Sequence, residues 1–177
     1  NEDVAQEAKE FGVLSFISKP YTYSTLFDEI MEVLGKDIRT RKSGTEKGLK
    51  YKDELELIKG AKILVAEDNK MNQMVLSMLV EDTQLELDFA DDGLIAVEKF
   101  KNSKYDLILM DVQMPNMNGY DATEAIKVIN SDAVIVGLSV NVMQEDVTKA
   151  MNSGMDDYLA KPIEVEKLYG VLVKYLT

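Results

Sequence analysis

Over residues 60–177 of the chain, short apolar runs alternate with longer amphipathic stretches. The runs fall at Lys62–Ala66, Leu85–Ala90, Asp106–Met110, Val134–Ser139 and Asp157–Ala160. Each is four to six residues long, as expected for strands covered on both faces. Helical candidates lie between and after them, at Asn69–Glu81, Asp92–Lys101, Gly119–Asn130, Met143–Asn152 and Glu164–Leu176. In the first of these, Met71, Met74, Val75, Met78 and Leu79 recur at three- and four-residue spacing. Five strand–helix units predict an α/β fold, a doubly wound and mostly parallel sheet. Functional groups in such a sheet gather beyond the carboxyl ends of the strands, at the topological switch point.

The strand ends carry a consistent chemistry. The first run is followed by Glu67, Asp68 and Asn69; the third by Asp111 and then Val112-Gln-Met-Pro-Asn-Met-Asn-Gly119. The fourth ends in Ser139, and the fifth is followed by Lys161-Pro162. If the first and third strands are neighbours, Glu67, Asp68 and Asp111 converge on one rim. Carboxylates a few ångströms apart repel by roughly 4 kcal/mol per pair at an effective dielectric near 20. A divalent cation with hard oxygen ligands offsets that cost, and Mg2+ suits one or two carboxylates plus water. The expected ligands are Asp68, Asp111 and the backbone carbonyl of Gln113, with Glu67 acting through bound water. A metal beside Asp111 would make it a feasible nucleophile towards an anionic phosphoryl donor. Lys161 would meet the phosphoryl oxygens with positive charge, and Ser139 would offer a hydroxyl. Taken singly, each position has an ordinary reading: an acidic pair after a strand commonly starts a helix, and Asn69 could cap it. Four such positions at four strand ends favour the joint functional reading.

Composition narrows the field. The 177 residues include no histidine and no cysteine, which excludes a Ser-His triad, a thiol nucleophile, thiolate or imidazole metal sites and phosphohistidine on this chain. The net charge of −12 disfavours binding to nucleic acid or to an anionic membrane surface. No apolar run approaches the length of a membrane span and residues 1–11 do not read as a signal peptide, so a cytoplasmic location is expected.

The strings Ile63-Leu-Val-Ala-Glu-Asp-Asn69, Leu109-Met-Asp-Val-Gln-Met-Pro-Asn-Met-Asn-Gly119 and Gly154-Met-Asp-Asp-Tyr-Leu-Ala-Lys-Pro-Ile163 together resemble a response-regulator receiver domain. The resemblance spans residues 60–177. It implies a flavodoxin-like sheet of strand order 2-1-3-4-5, with Asp111 as phosphoacceptor and Glu67 and Asp68 as the acidic pair. Lys161 becomes the phosphate-binding lysine, Ser139 the switch hydroxyl and Tyr158 the aromatic switch residue. A cis Lys161–Pro162 bond is also implied. By the same resemblance a partner's phosphohistidine donates to Asp111, and the aspartyl phosphate later hydrolyses. Phosphorylation then changes the face formed by the stretches 143–152, 157–160 and 164–176, through which a homodimer could also form. Ser139 stands where Thr is commoner, and Gln113 and Asn141 flank the approach of water. Met143, Val147 and Met151 could line the core or an interface, and the core is the expectation.

The first 59 residues carry 10 basic and 12 acidic side chains against 10 and 20 in the rest. Sliding the chain so that Lys19-Pro20 lies on Lys161-Pro162 brings Ala8 onto Ala150, Gly12 onto Gly154, Phe16 onto Tyr158 and Leu34 onto Leu176. Residues 1–35 thus read as the closing helix–strand–helix of a preceding receiver, and 36–59 as a polar, largely basic linker in which residues 53–59 could begin an ordered approach to the next domain. Tandem receivers resemble part of a hybrid sensor histidine kinase, whose catalytic domain would lie elsewhere; this chain would perform only self-phosphotransfer and autodephosphorylation. Two other functions compete: a degenerate receiver used for docking or dimerisation, and a Mg2+-dependent aspartyl-phosphate hydrolase. The hydrolase reading is weakened because Gln113 stands where a second acid would be needed.

Overall fold

The structure is a computed structural model that describes residues 51–140 and 144–177. The receiver remnant expected over residues 1–35, the linker up to residue 50, Asn141 and Met143 lie outside the described residues. Helix α1 (Lys52–Leu57) comes first, within the stretch expected to be linker. Then β1 (Lys62–Ala66), α2 (Lys70–Val80), a 3-10 turn (Glu81–Thr83), β2 (Glu86–Ala90) and α3 (Gly93–Asn102) follow. The order closes with β3 (Leu107–Asp111), α4 (Gly119–Ile129), β4 (Ile135–Ser139), α5 (Gln144–Ser153), β5 (Asp157–Ala160) and α6 (Val165–Leu176). The five strands form one parallel sheet in the order β2-β1-β3-β4-β5. This is the doubly wound arrangement expected from the apolar runs. Every crossover is a helix, as parallel neighbours require.

Strand alternation divides the core into two layers. Leu64, Ala66, Ile108, Met110 and Ile135 face α3, α4 and α5, meeting Ala96, Ala122, Ile126 and Ala150. Ile63, Val65, Leu107, Leu109, Val136 and Leu138 face the opposite way, onto Leu76 and Val80 of α2 and Leu168 and Leu172 of α6. Ile58, just after α1, is buried in this second layer. Tyr51 reaches α6 at Gly170, where a Cβ would stand 3.2 Å from the phenol oxygen.

Side-chain caps start three helices: Asn69 accepts from Met71 N–H, Asp92 from Ile95 N–H and Asn118 from Asp121 N–H. Each such cap contributes about 1 kcal/mol. Two expectations need correction. Met151 is exposed rather than in the core, and Val147 is only half-buried. On α2 the inward face carries Gln73, Leu76 and Val80, whereas Met74 is exposed and the other stripe residues are partly covered. Gln73 turns inward because its amide has partners on the loops beneath it, described below.

Candidate functional site

Parallel register brings the ends of β1, β3, β4 and β5 to one edge of the sheet. Ala66 pairs with Met110, Asp111 with Leu138, and Ser139 with Ala160. The residues just past Ala66 and Ala160, and those ending β3 and β4, therefore share one rim. One carboxylate oxygen each from Glu67, Asp68 and Asp111 lies within 4.8 Å of the others. Glu67 and Asp111 are buried; Asp68 is exposed.

Lys161 sits among them. Its Nζ donates to Glu67 Oε2 at 2.6 Å and to Asp111 Oδ2 at 2.5 Å. The backbone around it is fixed, because Lys161 N–H donates to Ser139 O at 2.8 Å and the Lys161–Pro162 bond is cis, as expected. Burial opposes the lysine's charge, but its bonds to Asp111 and Glu67 outweigh that and raise its pKa above the ordinary value. Burial pushes the Asp111 carboxyl above the usual carboxylate range, against the pull of Lys161 and the Gln113 N–H. That N–H donates to Asp111 Oδ1 at 3.0 Å, folding the following loop back over the carboxylate.

Glu67 is held from several sides. Its N–H donates to Ala90 O at 3.0 Å, and its carbonyl accepts from Gln73 Nε2 at 2.6 Å. Its Oε1 accepts from Asn72 Nδ2 at 2.8 Å and from Asn69 N–H at 3.2 Å. The loop after β3 is braced as well. Asn116, at a φ of 62°, donates through Nδ2 to Asp92 Oδ2 at 2.7 Å, and Gly93 N–H donates to Met117 O. Gly119 closes this loop against the backbone below it: a Cβ there would stand 2.1 Å from Asp111 O.

Ser139 is buried at the end of β4. With Val112, Gly137 and the half-buried Tyr158 it lines a recess against Val147 and Ala150 of α5. The structure thus gathers Glu67, Asp68, Asp111 and Lys161 into one charged cluster, and puts Ser139 and Tyr158 together in a recess beside it. Three carboxylates meet one ammonium. The donor set is all oxygen, which fits a small hard divalent cation such as Mg2+.

The sequence matches the family profile of the response regulator receiver domain over residues 63–172. The chain belongs to the response regulator receiver family. Among curated proteins, this receiver is 32% identical over 173 residues to the signal transduction histidine-protein kinase BarA of Escherichia coli (strain K12). That match covers 97% of the chain and 18% of BarA. The chain spans less than a fifth of that relative's length. Among solved structures, the receiver domain of sensor histidine kinase PA1611 from Pseudomonas aeruginosa holds a magnesium ion in its active-site cleft. It aligns with a TM-score of 0.63 at 34% identity, over 66% of this chain and 98% of that one. The receiver domain of Ssk1 from Saccharomyces cerevisiae, in complex with the histidine phosphotransfer protein Ypd1, gives a TM-score of 0.63 at 28% identity. That alignment covers 67% of this chain and 90% of the matched one.

Sequence reasoning missed the polar side chains that hold the receiver's acidic loops: Asn72, Gln73 and the Asp92–Asn116 pair. The available signal was two adjacent amides one turn after the acidic pair, a spacing that lets a helix reach back to its own entry loop. Among the described residues no helix is long and apolar enough to cross a membrane.

Proposed function

We propose that this receiver accepts a phosphoryl group on Asp111 from a phosphohistidine of a partner protein and passes the signal by a change of surface. The observation that carries the reading is the Lys161 ammonium bonded at once to Glu67 and Asp111 inside a cluster of three carboxylates. Buried like charges are costly to keep together without a function. Asp68, Asp111 and the backbone carbonyl of Gln113 would hold Mg2+, with Glu67 acting through bound water. When bound, the metal offsets the negative charge that separates a carboxylate from incoming phosphoryl oxygens. The magnesium in the cleft of the PA1611 receiver supports this assignment.

Asp111 supplies the nucleophilic oxygen. Its bond to phosphorus forms as the bond from phosphorus to the donor's imidazole nitrogen breaks, and the electron pair leaves with that nitrogen. Lys161 contacts the phosphoryl oxygens and neutralises charge that a carboxylate alone would repel. A phosphorylated side chain carries about −1.5 to −2 charges at neutral pH. Ser139 donates its hydroxyl to that group, and Tyr158 follows into the recess between β4 and α5. The face built by α5, β5 and α6 then changes its preferred partners, dimerisation among them. The complex of the Ssk1 receiver with Ypd1 supports a phosphotransfer protein as the kind of partner. The BarA alignment over 97% of the chain reaches into the first fifty residues and supports an origin in a multidomain sensor kinase. Residues 1–35 are then the closing segment of a preceding receiver, and the relay runs in the cytoplasm.

Intact mass after incubation with acetyl phosphate and magnesium tests the reading. One added phosphoryl group is expected, lost in Asp111→Asn and in the metal-free control. Absence of both adduct and phosphate release under all conditions overturns it.

A further inference from the structure

The first turn of α2 holds two neighbouring amides that both grip Glu67. Successive helical residues point about 100° apart, so the grips come from different directions. Gln73, buried, binds the Glu67 carbonyl at 2.6 Å and Asp91 Oδ1 at 2.8 Å, and its own Oε1 accepts from Lys70 at 3.4 Å. That amide joins two loops and leaves the Glu67 side chain alone. Asn72 does the opposite: its Nδ2 donates to the carboxylate itself, at Oε1.

The distinction matters because a glutamate has one more rotatable bond than an aspartate. Asp111 gains its orientation from the end of β3 and from the Gln113 N–H, whereas the Glu67 carboxylate needs an anchor at its far end. Asn72 and the Asn69 N–H occupy Oε1, and Oε2 is left to face Lys161 and the cluster. We infer that Asn72 is a positioning residue: by anchoring Glu67 Oε1 it fixes Oε2 as the oxygen presented to the Asp68–Asp111 cluster, and so sets how tightly that cluster holds a divalent cation. The inference rests on the metal-dependent phosphoacceptor reading above.

Asn72→Leu keeps the branched shape and removes the donor; Asn72→Ala removes the side chain. Gln73→Leu is the comparison, since it loosens the loop without touching the carboxylate. Partners of metal-binding groups typically contribute 10- to 100-fold to affinity. Calorimetric titration of the full chain with magnesium chloride should give a dissociation constant about tenfold weaker in both Asn72 variants. With acetyl phosphate as donor, the half-saturating magnesium concentration should rise in parallel. The rate at saturating magnesium should stay within about threefold of the parent, because the anchor acts on cation binding rather than on Asp111. Gln73→Leu should lower the thermal midpoint yet keep the magnesium affinity.

Unchanged magnesium affinity in both folded Asn72 variants overturns the inference. So does an equal loss of affinity in Gln73→Leu, which would assign the effect to general loosening of the loop. A parent protein that takes no magnesium at all overturns the functional reading itself, an outcome distinct from either.

Discussion

Replacing Lys161 by methionine removes the ammonium from the carboxylate cluster while keeping most of the side-chain bulk. At 2.5 and 2.6 Å from Asp111 and Glu67, each attraction is about 6 kcal/mol at an effective dielectric near 20. Desolvation of a side chain only 12% exposed opposes this by several kcal/mol. What remains after the substitution is two carboxylates, 1% and 8% exposed, that face each other without a cation. Breaking a buried pair in this way costs about 3–5 kcal/mol, or about 10–15 °C in thermal midpoint for a domain of this size. The sign with pH is definite. Lys161 has a raised pKa, so its contribution is complete below the ordinary lysine value and is lost as pH rises through the higher folded value. At pH 7 the full effect is present.

If magnesium takes oxygens that Lys161 now contacts, as the proposed function requires, it should stabilise Lys161→Met more than the parent. A tenfold gain in affinity corresponds to about 1.4 kcal/mol of extra stabilisation at saturating metal. Urea unfolding followed by circular dichroism, with and without magnesium, measures all four terms; the chain has no tryptophan for a fluorescence signal. Equal stabilisation of both proteins by magnesium would refute the competition, and a metal-free loss below about 1 kcal/mol would refute the energetic role of the ion pair.

Gly119→Ala should destabilise the fold by about 3 kcal/mol or more and weaken magnesium binding. Its Cβ would fall 2.1 Å from the Asp111 carbonyl, where only backbone can yield; urea unfolding checks it. Ile58→Ala should cost about 2–4 kcal/mol in the same assay, although Ile58 precedes the matched family region, because its side chain is 2% exposed against the α2–α6 layer. Burial, then the bond to Asp88, raises the Tyr105 pKa to about 12. The stability it adds is therefore complete below pH 10 and lost as pH rises towards 12. Phenolate absorbance should show one tyrosine titrating near 12 that is missing in Tyr105→Phe. Bonds from Lys99 and then Tyr105 lower the Asp88 pKa, so the Asp88 contribution is present above the ordinary carboxylate value and lost as pH falls through the lower folded one. Asp88→Asn should flatten the acid limb of the stability curve.

The sheet was legible because a strand buried on both faces leaves a continuous apolar run, and the first three runs are each followed by a helix with a side-chain cap. Lys62–Ala66 and Asp157–Ala160 agree to the residue, β2 and β4 start one residue later than their runs, and β3 is displaced by one residue at both ends. The face of α2 was harder to read. A methionine-rich stripe at helical spacing points to the core on hydrophobicity alone, yet Leu76 and Val80 take the inner positions and Met74 is exposed. Burying Gln73 costs little once its amide is satisfied by Glu67 O and Asp91. No period-based argument includes that term. Order over residues 53–59 was expected, but helix α1 was not, for a related reason: six residues carry too little pattern, and Ile58 finds partners more than a hundred residues away on α6.

Residues that carry charge at the site were visible because each stands at the end of an apolar run, and the order of a doubly wound sheet brings those ends together. Lys161 and Glu67 are 94 residues apart, and only the parallel register between β1 and β5 through β3 and β4 makes them neighbours. The supporting amides have no such marker. Asn72 and Gln73 read as the polar side of an amphipathic helix, since sequence reports side-chain polarity but not which polar groups a buried loop still needs. Those needs arise in the fold. Once Glu67 is carried 0% exposed to the rim, its carbonyl and both carboxylate oxygens require donors. The helix that starts three residues later supplies two of them, from Gln73 and Asn72, while the third comes from Lys161 near the far end of the chain. A buried glutamate held at one oxygen by neutral amide donors, and at the other by an ammonium, would under the proposed metal-dependent reading have only that second oxygen to exchange between ammonium and metal. The sequence marks which oxygens are charged, and the hydrogen bonds decide which one is available.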